Sequence, residues 1–135
     1  MKKNRIIITG GGTGGHIYPG IAIGKYLKNF YPQNKILFVG AFGKMEMKRI
    51  PNEGFKIKGL WISGLNRKKW WKNFFLPLKI LVSLFQAILI WIKFRPNIMI
   101  GTGGYASLPI LIIGSIFQTK IVIQEQNYLP GVSNK

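Results

Sequence analysis

The residues of this chain that are best suited to bind or react with a ligand lie together near the N-terminus. Glycines fill five of the six positions in Gly10–Gly15, and His16, the only histidine of the chain, follows directly. Glycines let a ligand approach the main chain closely, so this turn can present several backbone N–H groups to an anion. Histidine exchanges protons near neutral pH, so His16 could be a general base for a sugar hydroxyl group. It could equally well only close the loop or bind a phosphate.

The segments on either side of this loop indicate that it connects a strand to a helix. Residues Arg5–Thr9 lead into it as an apolar run without alternation, which predicts a buried parallel strand. Pro19 predicts the start of a helix that extends to Phe30. Strand, loop and helix together direct the positive end of a helix dipole at one place, which favours phosphate.

Strand-like and helix-like segments alternate along the rest of the chain. One of the segments, Phe55–Trp61, alternates apolar and basic residues and should therefore lie towards a sheet edge. The order predicts an α/β fold, a Rossmann-like doubly wound parallel sheet. The further strands are expected at Lys35–Gly40, Phe55–Trp61, Asn97–Gly101 and Lys120–Ile123, and the further helices at Met45–Arg49, Pro77–Lys93 and Ala106–Phe117.

A second glycine loop, Gly101–Tyr105, follows the predicted fourth strand and resembles Gly12–Gly15. Loops after parallel strands meet at the carboxyl edge of the sheet, so two similar anion cradles are expected close together. The fifth strand ends in Glu125 and Asn127 at the same edge. Glu125 could orient a hydroxyl group or only balance nearby lysines.

The familiar nucleotide-binding signatures do not fit the first loop. A P-loop needs Gly-Lys-Ser/Thr after its glycines, whereas here Gly15 is followed by His16 and Ile17. A dinucleotide fingerprint also needs an acid just after the second strand, but Gly40–Gly43 contains none and Glu46 falls late. We therefore expect no nicotinamide cofactor, and no cofactor of another kind.

Composition limits the remaining classes of function. The length of 135 residues corresponds to one domain. The chain has no cysteine, three acidic residues and one histidine, so a metal site formed only by protein ligands is not expected. The net charge of +17 suits nucleic acid, an anionic membrane surface or a phosphorylated substrate, although compositional bias also accounts for part of it. Nucleic acid is not expected as a partner, because the lysines are scattered and no nucleic-acid-binding module is recognisable.

The segment Trp70–Phe94 is long and apolar enough to cross a bilayer. Pro77, Lys79, Ser83 and Gln86 interrupt it, and a crossing would place the two glycine loops on opposite sides of the membrane. We favour a helix that packs one face on the sheet while its other face touches the membrane interface. An ordinary buried helix and a spanning helix stay open as alternatives. The expected membrane contacts are Trp70, Trp71, Phe74 and Phe75.

Four motifs in order resemble the N-terminal domain of the MurG family, cytoplasmic N-acetylglucosaminyltransferases of peptidoglycan synthesis in glycosyltransferase family 28. The resemblance covers nearly the whole chain and implies the N-terminal half of a GT-B fold. It is carried by Gly10–Gly20, Ile62–Leu65, Gly101–Tyr105 and Gln124–Asn127.

The resemblance also implies an activity: inverting transfer of N-acetylglucosamine from UDP-GlcNAc to lipid I, which gives lipid II, at the cytoplasmic face of the membrane. His16 matches the family's candidate base, and Glu125 and Tyr105 match its acceptor-side cleft, with Glu125 taken as a second catalytic residue. The implied UDP-GlcNAc contacts are Thr13, Gly14, Gly15 and Asn127. The implied cradle for the acceptor's diphosphate consists of Gly11, Gly12, Gly103, Gly104 and Tyr105.

The family's second domain, which holds most donor contacts, has no counterpart in residues 1–135. We therefore expect an acceptor-binding and membrane-binding domain that does not transfer sugar alone and is either truncated or dependent on a separate donor-binding chain. The alternative is a non-catalytic membrane-associated protein that binds lipid diphosphates or acts as a scaffold.

Overall fold

The strands of the computed structural model form one parallel sheet. The structure describes residues 3–12, 14–63 and 70–124. Within them the strand order is β3-β2-β1-β4-β5, and every pair of neighbours is parallel. This confirms the predicted α/β fold and the edge position of the alternating segment, which is β3. The strands are β1 (Arg5–Thr9), β2 (Lys35–Ala41), β3 (Lys56–Leu60), β4 (Ile98–Gly101) and β5 (Lys120–Ile123).

Helices cover both faces of the sheet. Successive strand residues point to opposite faces, and here the residues on both faces are apolar and need to be covered. Ile6 and Ile8 of β1 pack with α1 (Gly14–Phe30) and α2 (Glu46–Asn52). Ile7 packs on the other face with α3 (Leu76–Phe94) and α4 (Leu108–Ile116). Two 3₁₀ turns, at Trp70–Asn73 and Tyr105–Ser107, precede α3 and α4.

Two prolines lie inside helices rather than at their boundaries. The prediction that the first helix begins at Pro19 is wrong, because α1 begins at Gly14 and contains Pro19. Pro51, which was expected to end the second helix, lies within α2. A proline in a helix removes one hydrogen bond and crowds the preceding turn. Pro19 is the sixth residue of α1 and Pro51 the sixth of the seven residues of α2, so each removes a single hydrogen bond near one end of its helix.

The third helix buries little of itself. Ser83 and Ala87 face the sheet, whereas the outward residues Leu78, Leu81, Phe85, Leu89 and Ile92 are 43–66% exposed. By length and composition α3 could cross a membrane, and only 11% of its apolar stretch is buried. It is therefore not an ordinary core helix. Arg95 ends it in the left-handed conformation and donates its N–H to Trp91 O at 2.7 Å.

The topology decides where a ligand can meet the chain. β1 and β4 are neighbours in the middle of the sheet, so the loops that leave their carboxyl ends are also neighbours. In open parallel sheets, ligands bind outside this edge, where the chain turns to opposite sides of the sheet. The first loop leads to α1 on one face, and the second leads to α4 on the other.

Candidate functional site

The two glycine loops touch through their backbones. Gly11 N–H donates to Gly103 O at 3.4 Å, and Thr102 N–H donates to Thr9 O at 2.9 Å. A methyl group on Gly104 would overlap the carbonyl oxygen of Gly11. Gly104 has φ 87°, a left-handed conformation that favours glycine. Gly11 and Gly104 can therefore approach this closely because neither residue carries a side chain.

His16 lies in the first turn of α1, at the junction of the two loops. Its Nδ1 is 3.0 Å from the point where a Cβ atom on Gly104 would stand. Its carbonyl oxygen accepts a hydrogen bond from the hydroxyl group of Thr102, so the second loop also fixes the backbone of His16. The imidazole is half-buried and stands at the positive end of the α1 dipole.

A buried carboxyl group supports the first loop from behind. Glu46, the first residue of α2, is 1% exposed. It accepts the N–H of Ala41 at 2.9 Å and the N–H of Gly12 at 3.4 Å. Gly40 makes room for it, because a Cβ atom there would stand 2.5 Å from Glu46 Cγ. The side chain thus ties the loop after β1 to the end of β2.

Tyr105 forms the wall of the site on the side of the second loop. Its ring packs on Gly12, where an added Cβ atom would come within 2.7 Å of Cε1. Burial and, to a smaller extent, the negative charge of Glu46 raise the pKa of Tyr105 above its usual value. Its hydroxyl group therefore keeps its proton at neutral pH and is available as a hydrogen-bond donor.

The structure brings most of the predicted site residues together and leaves others undescribed. Gly11, Gly12, His16, Gly103, Gly104 and Tyr105 form one cluster, with Gly14 and Gly15 opening α1 beside it. Thr13, Glu125 and Asn127 lie outside the described residues. Trp71, Phe74 and Phe75 lie apart, on the 3₁₀ turn and the approach to α3, and the side chain of Trp70 is not described. The roles assigned to all these residues stay predictions.

The arrangement suits an anion held beside a proton acceptor. A helix N-terminus, a histidine and a tyrosine hydroxyl group converge at one edge, which fits binding of a phosphate next to a hydroxyl group that loses a proton. The N–H groups of Gly11 and Gly12 already donate within the protein, although both bonds are long. Among the described residues, no group of three or more potential ligands could hold a metal ion.

Glu46 is the site residue that sequence reasoning missed. It was considered only as an acid too late for a dinucleotide fingerprint. Two signals could have found it: it is one of only three acids in the chain, and it follows Gly40 at the end of an apolar strand. In a strongly basic chain, an acid close to a strand's carboxyl end is a candidate for a defined structural task.

Comparison with known proteins assigns the chain to a family. Residues 6–135 match the glycosyltransferase family 28 N-terminal domain. The chain is 53% identical, over 136 residues, to a protein of Christiangramia forsetii and 52% identical to one of Cytophaga hutchinsonii. Both are named UDP-N-acetylglucosamine–N-acetylmuramyl-(pentapeptide) pyrophosphoryl-undecaprenol N-acetylglucosamine transferase.

These matches cover all of this chain but 37% of either relative, so the chain spans little more than a third of the length of the curated relatives. A crystal structure of Acinetobacter baumannii MurG superposes with a TM-score of 0.80 at 23% identity. It covers 97% of this chain and 37% of the other. That likeness confirms the predicted fold as the N-terminal half of a GT-B structure.

Proposed function

The chain belongs to the glycosyltransferase family 28 N-terminal domains, and on that premise we propose that it supplies the acceptor-binding half of a sugar transferase. The proposed reaction transfers N-acetylglucosamine from UDP-GlcNAc to lipid I, with inversion, to give lipid II. A donor-binding domain completes the active site, on the same or a separate chain. The names of the relatives support this substrate pair.

The contact between the two glycine loops carries the proposal. It places His16 Nδ1 against Gly104 at the same edge as Tyr105. In the proposed reaction His16 accepts the proton of the acceptor's hydroxyl group while that oxygen attacks the anomeric carbon of the donor sugar. The bond from that carbon to the diphosphate breaks at the same time, and UDP is the leaving group. The backbone of the two glycine loops, at Gly11, Gly12, Gly103 and Gly104, holds the acceptor's diphosphate beside Tyr105. Thr13, Gly14, Gly15 and Asn127 are proposed to contact the donor, with Glu125 on the acceptor side.

An apolar cavity beside Tyr105 supports the proposal that the acceptor is linked to a lipid. Its volume is about 160 Å³, and it lies between the second loop and the first turns of α3 and α4. A diphosphate in the cleft would thus have apolar surface next to it for the first part of a lipid chain. The residues that line the cavity are Ile62, Ser63, Leu76, Ile80, Leu84, Tyr105, Leu108, Pro109 and Ile112.

The same side of the molecule is the proposed membrane contact. Trp71, Phe74 and Phe75 are 56–79% exposed, and the outward face of α3 continues this surface. Large apolar side chains so exposed are unusual for a protein surrounded only by water. We propose that this surface enters the membrane interface on the cytoplasmic side, which brings the cleft to the lipid-linked substrate.

A transfer assay tests the catalytic proposal. The chain is incubated with UDP-GlcNAc and lipid I, with and without the C-terminal domain of a relative, and that domain alone is the control. Lipid II is expected only when both parts are present. Failure of the complemented pair, with lipid I binding retained, would favour the alternative of a non-catalytic lipid-diphosphate binder. Failure of both would reject this acceptor.

The membrane proposal has its own test, co-sedimentation with lipid vesicles. Trp71→Ser with Phe74→Ser should weaken binding by about tenfold or more, since exposed aromatic area is lost from the interface. Tyr26→Ser with Phe30→Ser is the matched control, because these rings are also exposed and contact each other, at a tilted angle, on α1. Equal losses in both pairs would contradict the assigned surface.

A further inference from the structure

A second, larger cavity lies at the opposite edge of the sheet from the glycine loops. It has a volume of about 750 Å³ and opens where β1, β2 and β3 begin, beside the last turn of α3. The parts of the site described above lie at the carboxyl ends of the strands, so this cavity plays no role in the proposed transfer. Its walls combine apolar side chains, among them Leu37, Leu89 and Phe94, with a set of cations.

The cations are concentrated well beyond the average of the chain. Six of the fifteen residues that line the cavity are lysine or arginine, against 20 of 135 in the whole sequence. None of the described lining residues is acidic. The nearby Glu53 already pairs with Lys25. The cations are Arg5, Lys28, Lys35, Lys56, Lys58 and Lys93.

Sheet register forces several of these charges onto one face. Arg5 stands directly opposite Lys35 in the pairing of β1 with β2. Lys56 and Lys58 alternate in phase with Leu60, which is buried on the α3 side. All four therefore point to the α3 side of the sheet. Like charges on neighbouring strands repel each other, and a bound anion would relieve that repulsion.

The cavity is continuous with the apolar outer face of α3. Leu89 belongs to both, since it is 43% exposed on the outward stripe and also lines the cavity. Lys93, one turn further along, brings a positive charge to the same end of the helix. An amphiphile could thus place its anionic group among the cations and its apolar chain along α3.

We propose that this cavity binds the phosphate headgroup of an anionic membrane lipid. The inference rests on the membrane contact proposed above, but not on sugar transfer. α3 then has one attachment at each end. The exposed aromatic residues lie at its N-terminal end, and the headgroup site lies near its C-terminal end, about 28 Å away along the helix. Two attachments fix the rotation of the domain on the membrane, which one apolar contact alone leaves free.

Vesicle co-sedimentation tests the assignment with two lipid compositions, phosphatidylcholine alone and phosphatidylcholine mixed with phosphatidylglycerol. Lys56→Gln with Lys58→Gln should lower the partition coefficient onto the anionic vesicles by about twenty-five-fold, because each lysine near an anionic surface contributes roughly fivefold. Binding to the neutral vesicles should stay unchanged. The matched control, Lys48→Gln with Lys120→Gln, removes the same charge from exposed positions outside the cavity and should cost less than about threefold.

Each other outcome overturns the proposal in a distinct way. Equal losses in the two double variants would mean general attraction by net charge. Complete competition by soluble glycerol phosphate at low millimolar concentration, without a vesicle preference, would mean that a free anion is the ligand. Cavity-dependent binding of polyglutamate without a lipid preference would indicate an acidic protein partner. The Trp71→Ser, Phe74→Ser variant separates the two membrane proposals, because it should weaken binding to both compositions.

Discussion

The two glycine loops look alike in sequence but differ in what they present. The first runs directly into α1, so His16 and a helix N-terminus stand at its exit. The second enters a 3₁₀ turn, and α4 begins only at Leu108. It therefore presents Tyr105 and backbone rather than a helix N-terminus. The sequence predicts two similar anion cradles, whereas in the structure the two loops contribute different groups to one site.

They also differ in how they are supported. The first loop depends on Glu46, a side chain from another element that bonds Gly12 and Ala41. The second shares the bonds between the loops and adds a bond of its own, since Ser107 Oγ–H donates to Gly104 O at 2.8 Å within the same turn. The loop proposed to carry the chemistry thus depends on a side chain from a distant element. The loop proposed to form the wall is supported in part within its own turn.

The largest expected effect separates the chemical half from the wall. His16→Ala should lower turnover in the complemented transfer assay by about two to four orders of magnitude, because a positioned general base contributes that much. Tyr26→Ala, an exposed residue about three turns further along the same helix, should leave turnover unchanged. Turnover of the His16 variant within tenfold of the wild type would remove His16 from the proton transfer.

The next prediction concerns the contact between the loops. Gly104→Ala should lower the free energy of unfolding by about 3 kcal/mol or more, because the new methyl group meets the Gly11 carbonyl and the residue is left-handed. Gly43→Ala is the matched control. It has a similar φ of 81° but nothing within 4 Å of the added Cβ atom, so only backbone strain of about 1 kcal/mol applies. Denaturant unfolding measures both, and equal losses would show that the loops are not tightly packed.

The support of the first loop can be tested with one substitution at two sites. Glu46→Gln should cost about 1–3 kcal/mol of unfolding free energy, since an amide cannot accept both N–H groups equally well. Glu53→Gln disrupts only the partly exposed pair with Lys25 and should cost less than about 1 kcal/mol. Equal costs would show that Glu46 does not hold the loop.

The pKa of Tyr105 reports the negative charge of Glu46, and it would not change if Glu46 acted only through packing. Removing the negative charge should lower the pKa of Tyr105, while burial still keeps it above the usual value. A raised pKa in the folded state means stability that is full below pH 10 and declines as pH rises through the folded-state pKa. Tyrosinate absorbance, with Tyr105→Phe to identify the signal, should show the titration at lower pH in Glu46→Gln. An unchanged titration would place the charge elsewhere.

The sequence was sufficient for the sheet because strand signals are local. Short apolar runs predicted β1 and β5 to their last residues, and the Lys-Ile-Lys alternation predicted the edge strand. Proline positions misled at α1 and α2. Proline favours the first position of a helix but is not confined to it, and most of the stability of a helix in a protein comes from its packing, here of Ile17, Ile21 and Ile50 on the sheet.

The site was less predictable because its geometry depends on tertiary contacts. Periodicity could place Gly12 and Gly104 at one edge, but not the overlap that brings Gly104 to Gly11 and His16. No local rule indicates that Glu46 reaches back to Gly12 across a gap of 34 residues. Such a bond exists only after β1 and β2 have paired.

The smallest expected effect tests whether the second loop supports itself. Ser107→Ala removes the bond to Gly104 O and should cost about 1 kcal/mol of unfolding free energy. Ser83→Ala is the control, because Ser83 is equally buried and also donates to a carbonyl oxygen three residues earlier, at 2.8 Å. Within α3, however, that bond competes with the helix, and alanine is the better helix former, so this change should be neutral or slightly stabilising. If the two variants lose equal stability, Ser107 contributes only a generic buried hydrogen bond, and the second loop depends on the first for its shape.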